Sequence, residues 1–114
     1  MSAHGAYQKF ITSKQEPLRL SLALAGFSRA DISDEARAAY CAYLRRRLRP
    51  ALKQLVNQDD SLAMGRLSRV IGFTVDCVDD ALALAVSEGR ISAMVWLLRW
   101  KQENGGFCDR DFSL

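Results

Sequence analysis

Few residues of this 114-residue chain carry side chains suited to catalysis. His4 is the only histidine, so any Ser-His or Cys-His nucleophilic pair has to use it. It stands in the first five residues, which read as a frayed start. Cys41, Cys77 and Cys108 form an odd set without Cys-x-x-Cys spacing, which argues against a zinc site or a disulfide framework. They read as small buried hydrophobes. Carboxylates gather at Asp31/Asp34/Glu35, Asp59/Asp60 and Asp76/Asp79/Asp80. Paired acids can hold a metal or move protons. Each group, however, stands where a helix should begin, and there an acid caps free N–H groups and meets the positive end of the dipole. Gly105-Gly106 follows a helical run without a nearby Lys-Ser/Thr, so it is no phosphate loop. The expectation is a chain without enzymatic activity, cofactor or metal.

Side chains suited to binding are easier to find. Arg45-Arg46-Arg47, Arg49 and Lys53 make the densest charge run. Arg45, Arg49 and Lys53 recur every four residues and share a face if the helix survives Pro50. Such a face would dock an acidic surface or contact phosphates. It could equally be an ordinary solvated face, partly paired with Asp and Glu. Trp96 and Trp100 stand four apart with Arg99 between them, and Trp with Arg is a frequent interface anchor pair. Trp96 is expected in the core. The candidate partner-binding residues are therefore Arg45, Arg46, Arg49, Lys53 and Trp100. Phe107 and Phe112 are expected either to dock on the body or to act as a short binding segment.

These residues need a scaffold, and composition indicates its kind. Apolar residues are 49% and charged residues 25% of the chain, with two prolines and seven glycines. Ala, Leu and Arg dominate and favour helix. Val, Ile and Thr never alternate over a strand-length run. The reading is all-α, a single helical domain over 1–114 with a frayed start at 1–5 and a tail at 105–114. A net charge of +3 permits an acidic partner without demanding nucleic acid. No apolar run approaches a membrane span. Free thiols without an apolar leader predict the reducing cytoplasm.

Hydropathy patterning divides the chain into helices. Tyr7, Phe10 and Ile11 share one face, and Ser13-Lys14-Gln15 breaks the pattern. Glu16-Pro17 restarts it, and Gly26 reads as its C-terminal stop. From Ala36 to Leu55 one stripe comprises Ala36, Ala39, Tyr40, Tyr43, Leu44, Leu48, Leu52 and Leu55. Pro50 makes it either one kinked helix or two helices meeting near Arg49. Residues 80–98, DALALAVSEGRISAMVWLL, encode two short apolar helices joined by Glu88-Gly89-Arg90, an αα-hairpin. Two internal echoes appear. Gly26-Phe27-Ser28 and Gly72-Phe73-Thr74 each precede an acid, Asp31 or Asp76, which reads as the next cap. At an offset of 30, Ala51, Leu52, Val56, Ala63, Met64 and Leu67 meet Ala81, Leu82, Val86, Ala93, Met94 and Leu97. Helical pairs at such a period signal a stacked repeat.

In that hairpin Leu82, Leu84, Ala85, Gly89, Ile91, Met94, Leu97 and Leu98 fall on the apolar and turn positions of an ankyrin repeat, which the stretch resembles. Asp80-Ala81 replaces the Thr-Pro opening, Ala83 the histidine, and the β-hairpin finger is absent. The block from Ala42 onward, with AYLRRRLRPAL, also resembles short ankyrin-like modules of gut Firmicutes. The resemblance implies stacked antiparallel helical hairpins and binding of a protein partner, as in an adaptor, regulator or inhibitor of a bacterial or phage system. A nucleic-acid-associated protein using the Arg45–Arg49 cluster is the alternative. A homo-oligomer that buries the open end of the stack on a copy is the third.

Overall fold

A computed structural model describes residues 3–104, and these residues form seven helices and no strand. They are α1 (Ala3–Thr12), α2 (Glu16–Gly26), α3 (Asp34–Arg46), α4 (Leu48–Asn57), α5 (Ser61–Val70), α6 (Val75–Glu88) and α7 (Ile91–Glu103). The helical body is elongated, 54 × 27 × 22 Å. α1 packs on α2 and α2 on α3, while α4 is held between α5 and α6, and α7 lies against both α5 and α6. None of these helices is long and apolar enough to cross a membrane. Helix already begins at Ala3, inside the segment assigned to a frayed start. The tail at 105–114, with Phe107, Cys108 and Phe112, lies outside the described residues.

The stripe from Ala36 to Leu55 is the spine of the core. Tyr40, Leu44 and Leu52 have no exposed surface, and Ala36, Tyr43, Leu48 and Leu55 are buried with them. The helix breaks at Arg47, earlier than Pro50. Arg47 has φ −121° and ψ 34° and ends α3 while opening α4. Pro50 then sits in the first turn of α4, where its missing N–H costs nothing. At the other end of the spine Phe10, Tyr7, Tyr40 and Tyr43 meet mostly edge to face, with centroids 4.9 Å apart for Phe10–Tyr40 and 5.3 Å for Phe10–Tyr43.

Gly26 closes α2 for a different reason from the one its position suggests. It is the last helical residue, and a Cβ there would lie 2.6 Å from Cε2 of the fully buried Tyr40. Close approach of the ring, rather than a left-handed backbone, demands glycine. The caps after the two Gly-Phe echoes also differ from expectation. Ser33 accepts from the Ala36 N–H and Thr74 from the Cys77 N–H. Asp31 instead forms a two-bond pair with Arg29, at 2.6 and 2.8 Å, and Asp76 occupies the first turn of α6. A hydroxyl directly before the helix reaches the third N–H without stretching, which leaves the neighbouring acids free.

The echo at offset 30 has a structural counterpart. α5 begins at Ser61 and α7 at Ile91. The two residues with left-handed backbone among those described are Asp59 (φ 52°) and Gly89 (φ 68°), again 30 apart. Asp60 N–H donates to Leu55 O at 3.0 Å, and Arg90 N–H donates to Ala85 O at 2.9 Å. Both turns thus close with the same six-to-one bond that ends a helix in a left-handed residue.

The first turn does additional work. Asp60 Oδ1 accepts from the Ala63 N–H at 3.0 Å and caps α5. Arg90, its counterpart, offers α7 no side-chain cap. The Ala93 N–H donates instead to Asp59 Oδ1 at 2.9 Å, across 34 residues of sequence. Adjacent aspartates therefore cap two different helices. Asp59→Ala removes the α7 cap and also leaves a Cβ residue at positive φ, and we expect it to cost about 2 kcal/mol in urea unfolding. Asp59→Asn keeps both the acceptor and the left-handed tolerance and should lie within about 0.5 kcal/mol of the parent. Equal losses in the two variants would show that Asp59 acts by its charge alone.

Candidate functional site

The arginine run does not form one face. The break at Arg47 puts Arg45 and Arg46 on α3, and Arg49 and Lys53 on α4. Arg45 donates to Val70 O at the end of α5, 3.1 Å away. Arg49 pairs with Asp80 of α6. Arg46 and Lys53 are exposed and make no ion pair among the described residues. Lys53 and Arg49 border a groove of about 380 Å³ with Pro50, Cys77, Asp80 and Ala81. Cys41 is buried and Cys77 half-buried, both as free thiols. Among the described residues no group of His, Cys, Asp or Glu side chains could hold a metal ion.

Arg47 takes part in a separate knot. Tyr43 Oη donates to Glu16 Oε1 at 2.9 Å, Arg47 Nε donates to the same oxygen at 3.0 Å, and the Arg19 guanidinium lies 4.8 Å from the Tyr43 ring centroid. The Arg47 hydrogen bond, then that of Tyr43, holds the Glu16 carboxyl below its ordinary 4.5. Burial, followed by Glu16, pushes the Tyr43 hydroxyl up. A carboxylate lowered in the folded state stabilises fully above its unfolded value and loses that contribution as pH falls through the lowered one. Stability should therefore fall as pH drops below 4.5, and Glu16→Gln should flatten this limb. Urea midpoints measured against pH test this, and parallel curves for the two proteins would exclude Glu16 as a source of the acid limb.

Trp100 belongs to a more distinctive arrangement. A cleft of about 340 Å³ opens between the C-terminal halves of α5 and α7. Gly65, Ser68 and Arg69 line its α5 side, and Trp96, Arg99, Trp100, Glu103 and Asn104 line its α7 side. Both indoles are half-buried. Trp96 packs against Phe73 at 5.8 Å between centroids and Trp100 at 6.2 Å, so one phenyl ring braces the pair. Trp96 packs against the core, as the sequence suggested, and its outer side is also a wall of the cleft. The reason is its angle on α7: Ala93 and Leu97 point inward and are fully buried, whereas Trp96 is turned toward α5. Neither indole N–H makes a hydrogen bond among the described residues, and Arg69 and Arg99 are exposed without an ion pair there.

Gly65 gives the cleft its depth. It lies inside α5, and a Cβ would stand 3.6 Å from Trp96 Nε1, an ordinary contact. The position does not need glycine for packing, and a helix-interior glycine costs up to about 1 kcal/mol relative to alanine. Gly65→Ala should therefore raise stability by about 0.5–1 kcal/mol while narrowing the floor, as thermal unfolding will read. A loss of stability would mean that the close approach of Trp96 is structural.

Sequence reasoning found Trp100 and missed Trp96, Arg69, Arg99 and Gly65 as one group. The available signals were the Trp-x-x-Arg-Trp spacing and a glycine inside a helical pattern. No protein-family model matches the chain, and no curated protein or solved structure matches it either.

Proposed function

We propose that the chain is a non-enzymatic protein-binding module, built of ankyrin-like stacked helical hairpins, that engages its partner through the α5/α7 cleft. The observation that carries this reading is the pair of half-buried indoles with unused N–H donors, flanked by the unpaired guanidinium groups of Arg69 and Arg99. Half-buried Trp beside Arg supplies large contact area at low entropic cost, and these two residue types dominate interface energetics. The shared left-handed turns at Asp59 and Gly89 support the hairpin-repeat part of the reading. Arg46 and Lys53 remain available on the outer surface as secondary contacts. A cytoplasmic adaptor, regulator or inhibitor would act in this way.

Self-association is a second reading, favoured by Ile91, Val95 and Leu98, which recur on one stripe of α7 and are 61%, 47% and 38% exposed. Light scattering over a concentration series distinguishes it, since a strict monomer removes it. Nucleic-acid binding has the same aromatic and cationic parts available. It requires affinity that falls steeply with salt.

The test is capture of the partner followed by titration with purified variants. Trp100→Ala should weaken binding by about 2 kcal/mol or more, near thirtyfold. Arg45→Glu/Arg46→Glu should change it little. Full affinity in Trp100→Ala would sink the cleft as the binding surface.

A further inference from the structure

The α4/α5 and α6/α7 pairs repeat at an offset of 30, so their surfaces compare position by position. In α4/α5 Leu52, Val56 and Met64 have no exposed surface, and α6 and α7 pack on this pair. The counterparts Leu82 and Met94 are only half-buried, and Val86 is 60% exposed. The first, fifth and eighth residues of α5 are Ser61, Gly65 and Ser68, and the last two line the cleft shared with α7. On α7 the same positions hold Ile91, Val95 and Leu98, all exposed. The α6/α7 pair thus presents aliphatic residues at the positions where α4/α5 receives its neighbour. The last unit of a helical stack ordinarily has a polar outer face. We propose that this face is the interface of a two-fold homodimer, formed when the open side of α6/α7 packs on the same side of a second copy. This deepens the self-association reading and rests on it.

Distribution, size and charge favour a second copy over other occupants. Among the described residues, the exposed large aliphatic side chains Val75, Val86, Ile91, Val95 and Leu98 belong to α6/α7, while Ile11 stands on α1 and Leu62 and Val70 near the two ends of α5. Val75, Leu82 and Val86 share one stripe of α6, and Ile91, Val95 and Leu98 one stripe of α7. A copy therefore has one clustered apolar face to offer, this same one, and a face that meets itself closes as a dimer. With 14 and 13 residues, the helices present a face about 20 Å long, the scale of a small reversible interface. Charge selects the axis. Far from the turn, α6 carries Asp76, Asp79 and Asp80, and α7 carries Arg99 and Lys101. A two-fold axis parallel to the helices lays each α6 on the second copy's α7 at the same height, so acids meet bases there and Val86 meets Ile91 near the turn. An axis across the helices would instead stack acidic α6 on its own copy. Trp100 follows Ile91 by nine residues, about two and a half turns, which puts it on the opposite side of α7. Both clefts of the dimer stay open.

Sedimentation velocity of the full chain, from micromolar to near-millimolar concentration, tests the proposal. The mass should rise from one chain to two and no further. Ile91→Glu and Val86→Lys should each weaken pairing by at least about thirtyfold, because every substitution acts twice across a two-fold axis. An equimolar mixture of the two variants should pair again, since one contact becomes Lys with Glu and the other is native. Both positions are exposed, so the fold should survive, and circular dichroism checks that the helices persist. A strict monomer removes both this inference and the self-association reading. Pairing that persists undiminished in Ile91→Glu leaves self-association standing and overturns this face. Assembly beyond two chains, or no recovery in the mixture, overturns the two-fold arrangement. The partner titration is independent: Trp100-dependent binding by a monomeric chain removes only this inference, and a dimer that binds without Trp100 removes only the cleft.

Discussion

Two adjacent aspartates at the end of α4 govern how the C-terminal helices are held. Asp59 and Asp60 leave the chain on opposite sides of one turn, and each accepts the N–H of an alanine at the start of a helix, Ala93 of α7 and Ala63 of α5. Free N–H groups at a helix start must find an acceptor, and α7 has none of its own because Arg90 precedes it. The left-handed backbone at Asp59 is what aims its carboxylate away from α5 and toward α7. Aspartate is among the few residues with a side chain that tolerates that conformation at modest cost.

This arrangement has a geometric consequence for the cleft. α5 and α7 are tied together at their starts, and the opening lies between their C-terminal halves, from Gly65 to Asn104. Leu67 of α5 and Leu97 of α7 are fully buried in the core, and Phe73 braces both indoles. The cleft is therefore shaped by the scaffold, with its aromatic walls braced by Phe73; for the proposed binding role such preorganisation lowers the ordering cost.

The internal echo at offset 30 shows both the reach and the limit of sequence reading. It marked two helix–turn–helix units whose turns do share one hydrogen-bond pattern, because glycine or aspartate at one position and helix-terminating backbone at the next are local properties. Yet equal letters received unequal surroundings. Val56 is fully buried and Val86 is 60% exposed, since α6 covers α4 whereas no described helix covers Val86. Similarly, the arginine run looked continuous every four residues, but the helix changes direction at Arg47, and tertiary neighbours then claim Arg45 and Arg49 one by one.

The sequence by itself determined the helical class, most helix boundaries and the spine from Ala36 to Leu55, because these follow from periodicity, propensity and the placement of Gly and Pro within one or two turns. Tertiary structure alone decided that Asp59 caps a helix 34 residues away, that Gly26 makes room for Tyr40, and that Trp96 walls a cleft while packing on the core. Each of those outcomes depends on the angle at which one helix meets another. That angle is set by the shapes of residues far apart in the chain, and no local pattern encodes it.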